Sequence, residues 1–423
     1  MNTFFQIGRS CSRCSKAQTK TTGVSILALV AISLLAGCGG SSTVSTIPTA
    51  SLPTVPAATP TNAYTGTQSP GLWSFTLDDS QNAFSYQATT YPATPNVATT
   101  GTTVALNGFS KLTSGASTAA GYAVEDQSRA FLLRPGDDTT AMIAGVKQDS
   151  CFAVTGRVTF HFVYLPSEYN EAALEQGTRQ EGYGTVVAST STDGSTWSFG
   201  NYSGGADSSS DPSLFSGTCA VANGQAAVTV TQDANNTMPA TIFVNQAGYI
   251  FIDHSIASPN SSSNQPELSQ FGIVQPSSAL TASSVIAKTY AGFLYEPGSS
   301  DGTTQPISFG TVTAGSGTSI VGGVYPSDDI TQTPDTETTI TLGKQDSTNY
   351  GFYPSATITR PDPKGECAYS TSQGTAGVDA NGNATCTFLA NVVVGNPNGK
   401  YAIFVSAFDP TLQLTMGIYL FQQ

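Results

Sequence analysis

From residue 71 to residue 423 the chain alternates between apolar and polar positions. Short runs carry apolar or β-branched residues at every second place, as in a strand with one covered face. Arg157–Tyr164 reads RVTFHFVY, Ala226–Thr231 reads AAVTVT, Thr338–Leu342 reads TTITL and Tyr401–Phe408 reads YAIFVSAF. Thr415–Phe421 (TMGIYLF) alternates in the same way. Clusters of Gly, Asn, Asp, Ser and Pro separate the runs and supply turns. Asn223-Gly224 and Asn381-Gly382 predict hairpin turns whose two central residues both need φ > 0. One segment departs from the pattern. Ser167–Arg179 (SEYNEAALEQGTR) predicts a helix, with Ser167 as its N-cap.

The expected fold class is all-β, with one or two antiparallel β-barrel or β-sandwich domains. A faint internal repeat bears on the number. Gly182-Tyr183 and Gly292-Phe293 each begin a strand, and Phe199 and Phe309 follow at equal intervals, both within Ser-Phe-Gly. The triplets Ile242-Phe243-Val244 and Ile403-Phe404-Val405 then recur in order, as do the pairs Gly272-Ile273 and Gly417-Ile418. Gly71–Tyr86 looks like a degenerate copy of the opening hairpin. A duplication would give two similar β-rich domains, 71–278 and 279–423, with a long insertion in the second. Shared hairpin composition would give the same matches without a duplication.

The N-terminal stretch is of another kind. Residues 1–37 hold Arg9, Arg13, Lys16 and Lys20, no acidic residue, and an apolar run from Val24 to Leu35. A basic start followed by a short apolar run describes an export signal. The run falls short of the roughly 20 apolar residues that a membrane-spanning helix needs. It ends in Leu35-Ala36-Gly37-Cys38. That tetrapeptide resembles the lipobox of bacterial lipoproteins, and the likeness covers this segment alone. The resemblance implies that 1–37 is removed, that Cys38 receives lipid, including an acyl group such as palmitate, and that the protein is held on a cell-envelope membrane. Several acyl chains on one residue give stable anchoring. Gly39 stands where an Asp would favour the inner membrane in that class, which points to the outer membrane.

Gly39 to Pro70 contains no charged residue and is rich in Ser, Thr and Ala, with Pro48, Pro53, Pro56, Pro60 and Pro70. Too few large apolar side chains are present to offset ordering entropy, so 38–70 reads as lipid anchor and disordered linker. Proline at this density favours an extended, semi-rigid spacer.

Removing 1–37 from the 423 residues leaves 386, and losing its four basic residues takes the net charge from −13 to −17. The remaining basic residues are scattered, as at Lys111, Arg134, Lys288 and Arg360. Nucleic-acid binding relies on grouped cations that displace phosphate counterions, so no nucleic-acid partner is expected. A neutral glycan, an apolar small molecule or a basic protein face fits the charge better. Cys151, Cys219, Cys367 and Cys386 follow Cys38. In an oxidising envelope an even count favours disulfides. Three pairings exist; closeness in sequence favours Cys367–Cys386, which leaves Cys151–Cys219. The mature chain has no paired-cysteine spacing and only His161 and His254, so neither a zinc site nor another cofactor is expected.

Candidate chemistry is thin. Asp253-His254-Ser255 holds the residue types of a hydrolase triad, but neighbours on a strand point to opposite faces. His161 lies in phase with Thr159 and Val163 and reads as a half-buried strand residue. The Gly-x-Gly fragments at Gly182 and Gly315 lack the third glycine of a dinucleotide site. Asp78-Asp79, Asp137-Asp138 and Asp328-Asp329 sit beside Pro, Gly or Ser, where Asp satisfies turn backbone. Asp379–Asn383 resembles the start of a calcium loop, but Ala390 stands where its closing Glu belongs. Trp73 and Trp197 read as core. The favoured function is a non-enzymatic binding or structural lipoprotein. The runner-up is a lipid-anchored polysaccharide hydrolase using carboxylates from distant strands.

Overall fold

The computed structural model describes residues 61–67, 72–90, 98–115, 118–127, 129–136, 142–165, 182–204, 215–222, 225–231, 240–253, 269–296, 304–369, 374–411 and 414–423. The predicted signal, lipobox and most of the linker, the predicted helix Ser167–Arg179, the Asn223-Gly224 turn, Asp137-Asp138 and His254 lie outside these residues.

Strands dominate the described chain, and they group into three antiparallel rings. The first holds β1 (Thr61–Thr67), β2 (Leu72–Asp78), β3 (Ala83–Thr90), β4 (Thr99–Leu106), β5 (Phe109–Ser114), β6 (Thr118–Asp126), β7 (Ala130–Pro135) and β8 (Ile143–Val146). Each strand pairs with the next, and β1 pairs with β8 to close the barrel. The second holds β9 (Val158–Tyr164), β10 (Tyr183–Thr190), β11 (Thr196–Gly204), β12 (Phe215–Ala222), β13 (Gln225–Val230), β14 (Ala240–Val244), β15 (Tyr249–Asp253) and β16 (Ser269–Val274). It closes between β16 and β9, with Phe271 opposite Val163. A five-residue helix, α1 (Ala282–Ile286), leads into the third.

The third ring contains β17 (Tyr290–Tyr295), β18 (Thr304–Phe309), β19 (Ser319–Val324), β20 (Thr338–Thr341), β21 (Phe352–Pro361), β22 (Gly374–Val378), β23 (Ala384–Gly395), β24 (Ala402–Asp409) and β25 (Leu414–Gln422). β17 pairs with β25 and β21 pairs with β23, so eight strands complete the circle without β22. β22 pairs along the first half of β23 alone.

The first ring begins at Thr61, so the end of the span 38–70 read as disordered linker is instead strand β1, which pairs with β2 and β8 and buries Tyr64. The rest of that ring and the second ring fall within 71–278, the span read from sequence as one domain, and the third within 279–423. The quoted repeat residues coincide only in part: Gly272 and Gly417 both lie on the last strand of their ring, but the opening residues do not match. Tyr183 opens the second strand of its ring, whereas Phe293 lies on the first strand of its own. What recurs is the up-and-down order of eight strands, and the insertion in the last ring is the segment carrying β22.

Eight-stranded barrels have an interior just wide enough for side chains to fill. The first ring encloses Tyr64, Phe75, Leu77, Leu112, Phe131 and Leu133. The second encloses Phe160, Phe162, Trp197, Phe199 and Ile242, and the third Tyr290, Leu294, Phe309, Ile358 and Ile418. A fourth core lies between the rings. Phe109, Leu132, Phe251, Phe271, Phe293, Phe404 and Phe421 belong to it and come from all three. Neighbouring residues on one strand therefore serve two cores: Phe131 and Leu133 fill the first barrel, while Ala130 and Leu132 face the junction. This explains why β7, β15 and β17 are buried along both faces, while β10 and β13 alternate. Burying a Leu, Ile or Phe side chain contributes about 1.5–3 kcal/mol, so a junction of this kind binds the rings firmly. The described residues from Thr61 to Gln423 belong to one compact unit.

The two disulfides pair as sequence proximity suggests. Cys151–Cys219 ties the segment before β9 to β12, and Cys367–Cys386 ties a 3₁₀ turn (Glu366–Tyr369) to β23.

Candidate functional site

The sequence candidates are used structurally. His161 is wholly buried where the second and third rings meet. Its Nδ1 lies 2.8 Å from the Tyr183 hydroxyl, and the Tyr183 ring stacks on Phe352 at 3.6 Å. Burial pulls its pKa down to about 4, which keeps the imidazole neutral near pH 7. The expected half-burial is exceeded because the outward face of β9 is covered by another barrel rather than by water. Asp78 accepts bonds from the Ser80 and Gln81 amides, a turn role. Asp329 does the same for Thr331, while Asp328 is held 2.7 Å from Arg134 and links the third ring to the first. Trp197 is fully buried against Phe152 and Phe199.

Asp379 also acts as a turn residue. Its carboxylate accepts from the amides of Asn381 and Asn383 and from Asn383 Nδ2. These bonds hold the carboxyl below its ordinary range, the Asn383 side chain contributing most. Only Gly382 has a positive φ (+84°), so the expected two-residue turn gives way to a longer one built around Asp379. The two-residue form with both central φ positive occurs instead at Asn107-Gly108, between β4 and β5. The Asn107 side-chain amide donates to the Ile330 carbonyl in the third ring, 2.7 Å away.

Three buried polar groups escaped the sequence reading. Arg360 on β21 points into the third barrel and bonds Glu296, just past β17, and Asp409, at the end of β24. Burial opposes the guanidinium charge, yet Glu296 and Asp409 together hold its pKa above the usual value. These are two facing carboxylates from distant strands, the arrangement a glycoside hydrolase would use. Both bond the same guanidinium nitrogen, and Glu296 and Asp409 are 2% and 0% exposed. The cluster is a paired plug at the barrel end. The signal was legible: Arg360 falls in phase with Ile358, and Glu296 and Asp409 each close an apolar strand.

In the first barrel the Tyr64 hydroxyl donates to Glu125. Burial pushes the Glu125 carboxyl up to about 7 against that bond, with Asp79 adding to the rise. Its neighbour Asp126 points the other way, into the junction, and accepts from the Tyr249 hydroxyl at 2.6 Å. Among the described residues no group of three or more His, Cys, Asp or Glu is placed to hold a metal ion.

The outer surface offers a different kind of site. Among the described residues Val104, Val221, Val312, Val378 and Leu389 are the exposed large apolar ones, and Val378 is the most open of them at 72%. Val378 and Leu389 both belong to the β22–β23 hairpin.

No family model matches the chain, and no curated protein matches it. Among solved structures the chain is similar to a double mutant of the vaccine antigen transferrin-binding protein B from Haemophilus parasuis. The identity is 8% and the TM-score 0.23, over 83% of this chain and 65% of that one. The chain thus spans less than two thirds of the length of that structure.

Proposed function

We propose that this chain is a lipid-anchored protein of the cell envelope that binds a partner at its outer surface and does not turn over a substrate. The observation that carries the reading is the filling of the three rings. Their inward positions hold buried aromatic and aliphatic side chains, so each interior is a packed core. An apolar small molecule therefore has the weaker claim among the partners that suit the charge, and a neutral glycan or basic protein face has the stronger. The buried carboxylates support the same reading, because Glu296 and Asp409 are both engaged by Arg360. Among the described residues no helix is long and apolar enough to cross a membrane.

The anchor belongs to the proposal. The Leu35-Ala36-Gly37-Cys38 sequence at the end of the apolar run supports removal of 1–37 and lipid on Cys38, and Gly39 after it supports residence at the outer membrane. The linker would lift an acidic body clear of phosphate-rich surfaces, whose field reaches about 8 Å at physiological salt. Cys38→Ala tests the anchor. The variant is expected to incorporate no labelled palmitate and to retain its signal. Processing and labelling equal to wild type would remove the lipoprotein reading.

A further inference from the structure

We propose that β22 is a docking edge that takes up an extended, uncharged segment of a partner protein as an additional strand. Closing a barrel abolishes free strand edges. All three rings here are closed, yet the third carries one more strand, outside the closure and paired on one side only among the described residues. It is not needed to complete the eight-stranded circle, which β21 and β23 join directly.

The extra strand is held firmly. Ala376 lies opposite Cys386, and Cys386 is bonded to Cys367. A Cβ on Gly374 would meet both sulfurs, at 2.7 and 2.9 Å, and Pro410 at 2.9 Å, so the base of β22 packs tightly on the disulfide. Asp362 fixes the turn that bears Cys367 by accepting from the Glu366 and Cys367 amides at 2.9 and 3.0 Å. At the far end the Asp379 carboxylate braces the hairpin turn. A strand fixed at both ends loses little entropy on gaining a neighbour.

Its exposed residues suit pairing. Thr375, Ala376, Gly377 and Val378 are all exposed, and none is charged. Edges that must stay unpaired are guarded by Lys, Pro or bulges. β22 has none of these; only its length of five residues limits it. Val378 and Leu389 lie on opposite faces of the hairpin sheet, and a Cβ on Gly377 would meet only Thr385 Oγ1 at 3.2 Å. Alternating side chains of an added strand would meet Ala376 and Val378 on one face and the small Thr375 and Gly377 on the other.

The edge selects its occupant. Free backbone donors and acceptors take another extended backbone. Five residues span about 17 Å and bury only a few hundred Å², far below the roughly 1,000 Å² that two folded bodies need for a stable contact. A segment of a partner fits that area, and a second copy of this body does not. The net charge of −13 disfavours an acidic segment, and the uncharged edge Thr375–Val378 offers no counter-charge to hold a basic one.

The inference rests on the reading of this protein as a surface binder. The test uses the purified full chain and a short, uncharged probe peptide of alternating Thr and Val with blocked ends. Binding should be saturable and should slow amide exchange within Thr375–Val378 by about tenfold or more, since edge amides gain ladder bonds. A control peptide with proline at every second position should have no effect. Ala376→Lys, and separately Thr375→Lys, should weaken binding about tenfold with unfolding unchanged, a charge being a natural edge guard. Unaltered exchange with the probe present, or equal binding by the lysine variants, overturns the proposal. So does a dimer in analytical ultracentrifugation that Ala376→Lys dissolves, because the occupant is then a second copy. If Cys38→Ala still loses acylation while the probe leaves exchange unchanged, the edge fails and the lipoprotein reading stands.

Discussion

Replacing Arg360 by Met is expected to cost about 3–5 kcal/mol of stability, the usual penalty for removing one partner of a buried ion pair. Glu296 and Asp409 would remain with no cation between them, inside a barrel where they are 2% and 0% exposed. Asp409 would keep its bonds from the Thr411 amide and hydroxyl through Oδ1, so Glu296 should bear most of the loss. The pH dependence follows in sign. An unpaired buried carboxyl has a folded pKa above its unfolded one, so the folded state binds the extra proton. The penalty is then full at neutral pH and shrinks as pH falls through the raised folded value. Urea unfolding at pH 7 and near pH 5 checks this: the gap between variant and wild type should narrow at the lower pH. A variant as stable as wild type at pH 7 would show that the cluster does not hold the barrel end.

Phe271→Ala should cost a similar amount, roughly 3–5 kcal/mol, for a large cavity in a packed core. Phe271 is fully buried and touches Phe251 and Tyr249 of its own ring and Phe404 and Phe421 of the third, with Phe404 nearest at 4.6 Å. The loss therefore falls on the junction and not on the interior of the second barrel, which Phe160, Trp197 and Phe199 fill. Calorimetry separates the two. Phe199→Ala should lower stability and leave one transition, whereas Phe271→Ala should split the second ring's unfolding from the third's.

The strands were legible where one face meets water. Ala226–Thr231 and Thr338–Leu342 read as alternating and lie on β13 and β20. Where both faces are covered the outcome was mixed: β9, β24 and β25 kept enough alternation to be read, and others did not. β7 (AFLLRP) and β15 (YIFID) have no period of two, because alternate residues enter different cores. The first ring was under-read for a related reason: β4 (TTGTTVAL) buries only Thr103 and offers almost no apolar signal. Its best cue, Asn107-Gly108 between Leu106 and Phe109, was present and passed over. Asn381-Gly382 shows the opposite error, since the dipeptide alone does not reveal that Asp379 reorganises the turn. The disulfide partners were favoured by proximity alone. Arg360 looks like one scattered cation in the sequence; its phase with Ile358 is the clue that it turns inward. No local pattern marks β22 as an edge, because that property depends on β21 and β23 meeting around it.

The barrel interiors are packed cores rather than ligand chambers. The direct measurement is binding of an apolar fluorescent probe such as 1-anilinonaphthalene-8-sulfonate to the folded protein at neutral pH, titrated to saturation. The packed interiors predict no stoichiometric binding until acid or mild denaturant loosens the packing of a still compact chain and exposes its apolar surface. Saturable one-to-one binding to the folded protein, abolished by filling a barrel interior and untouched by changes on the outer faces, would contradict it.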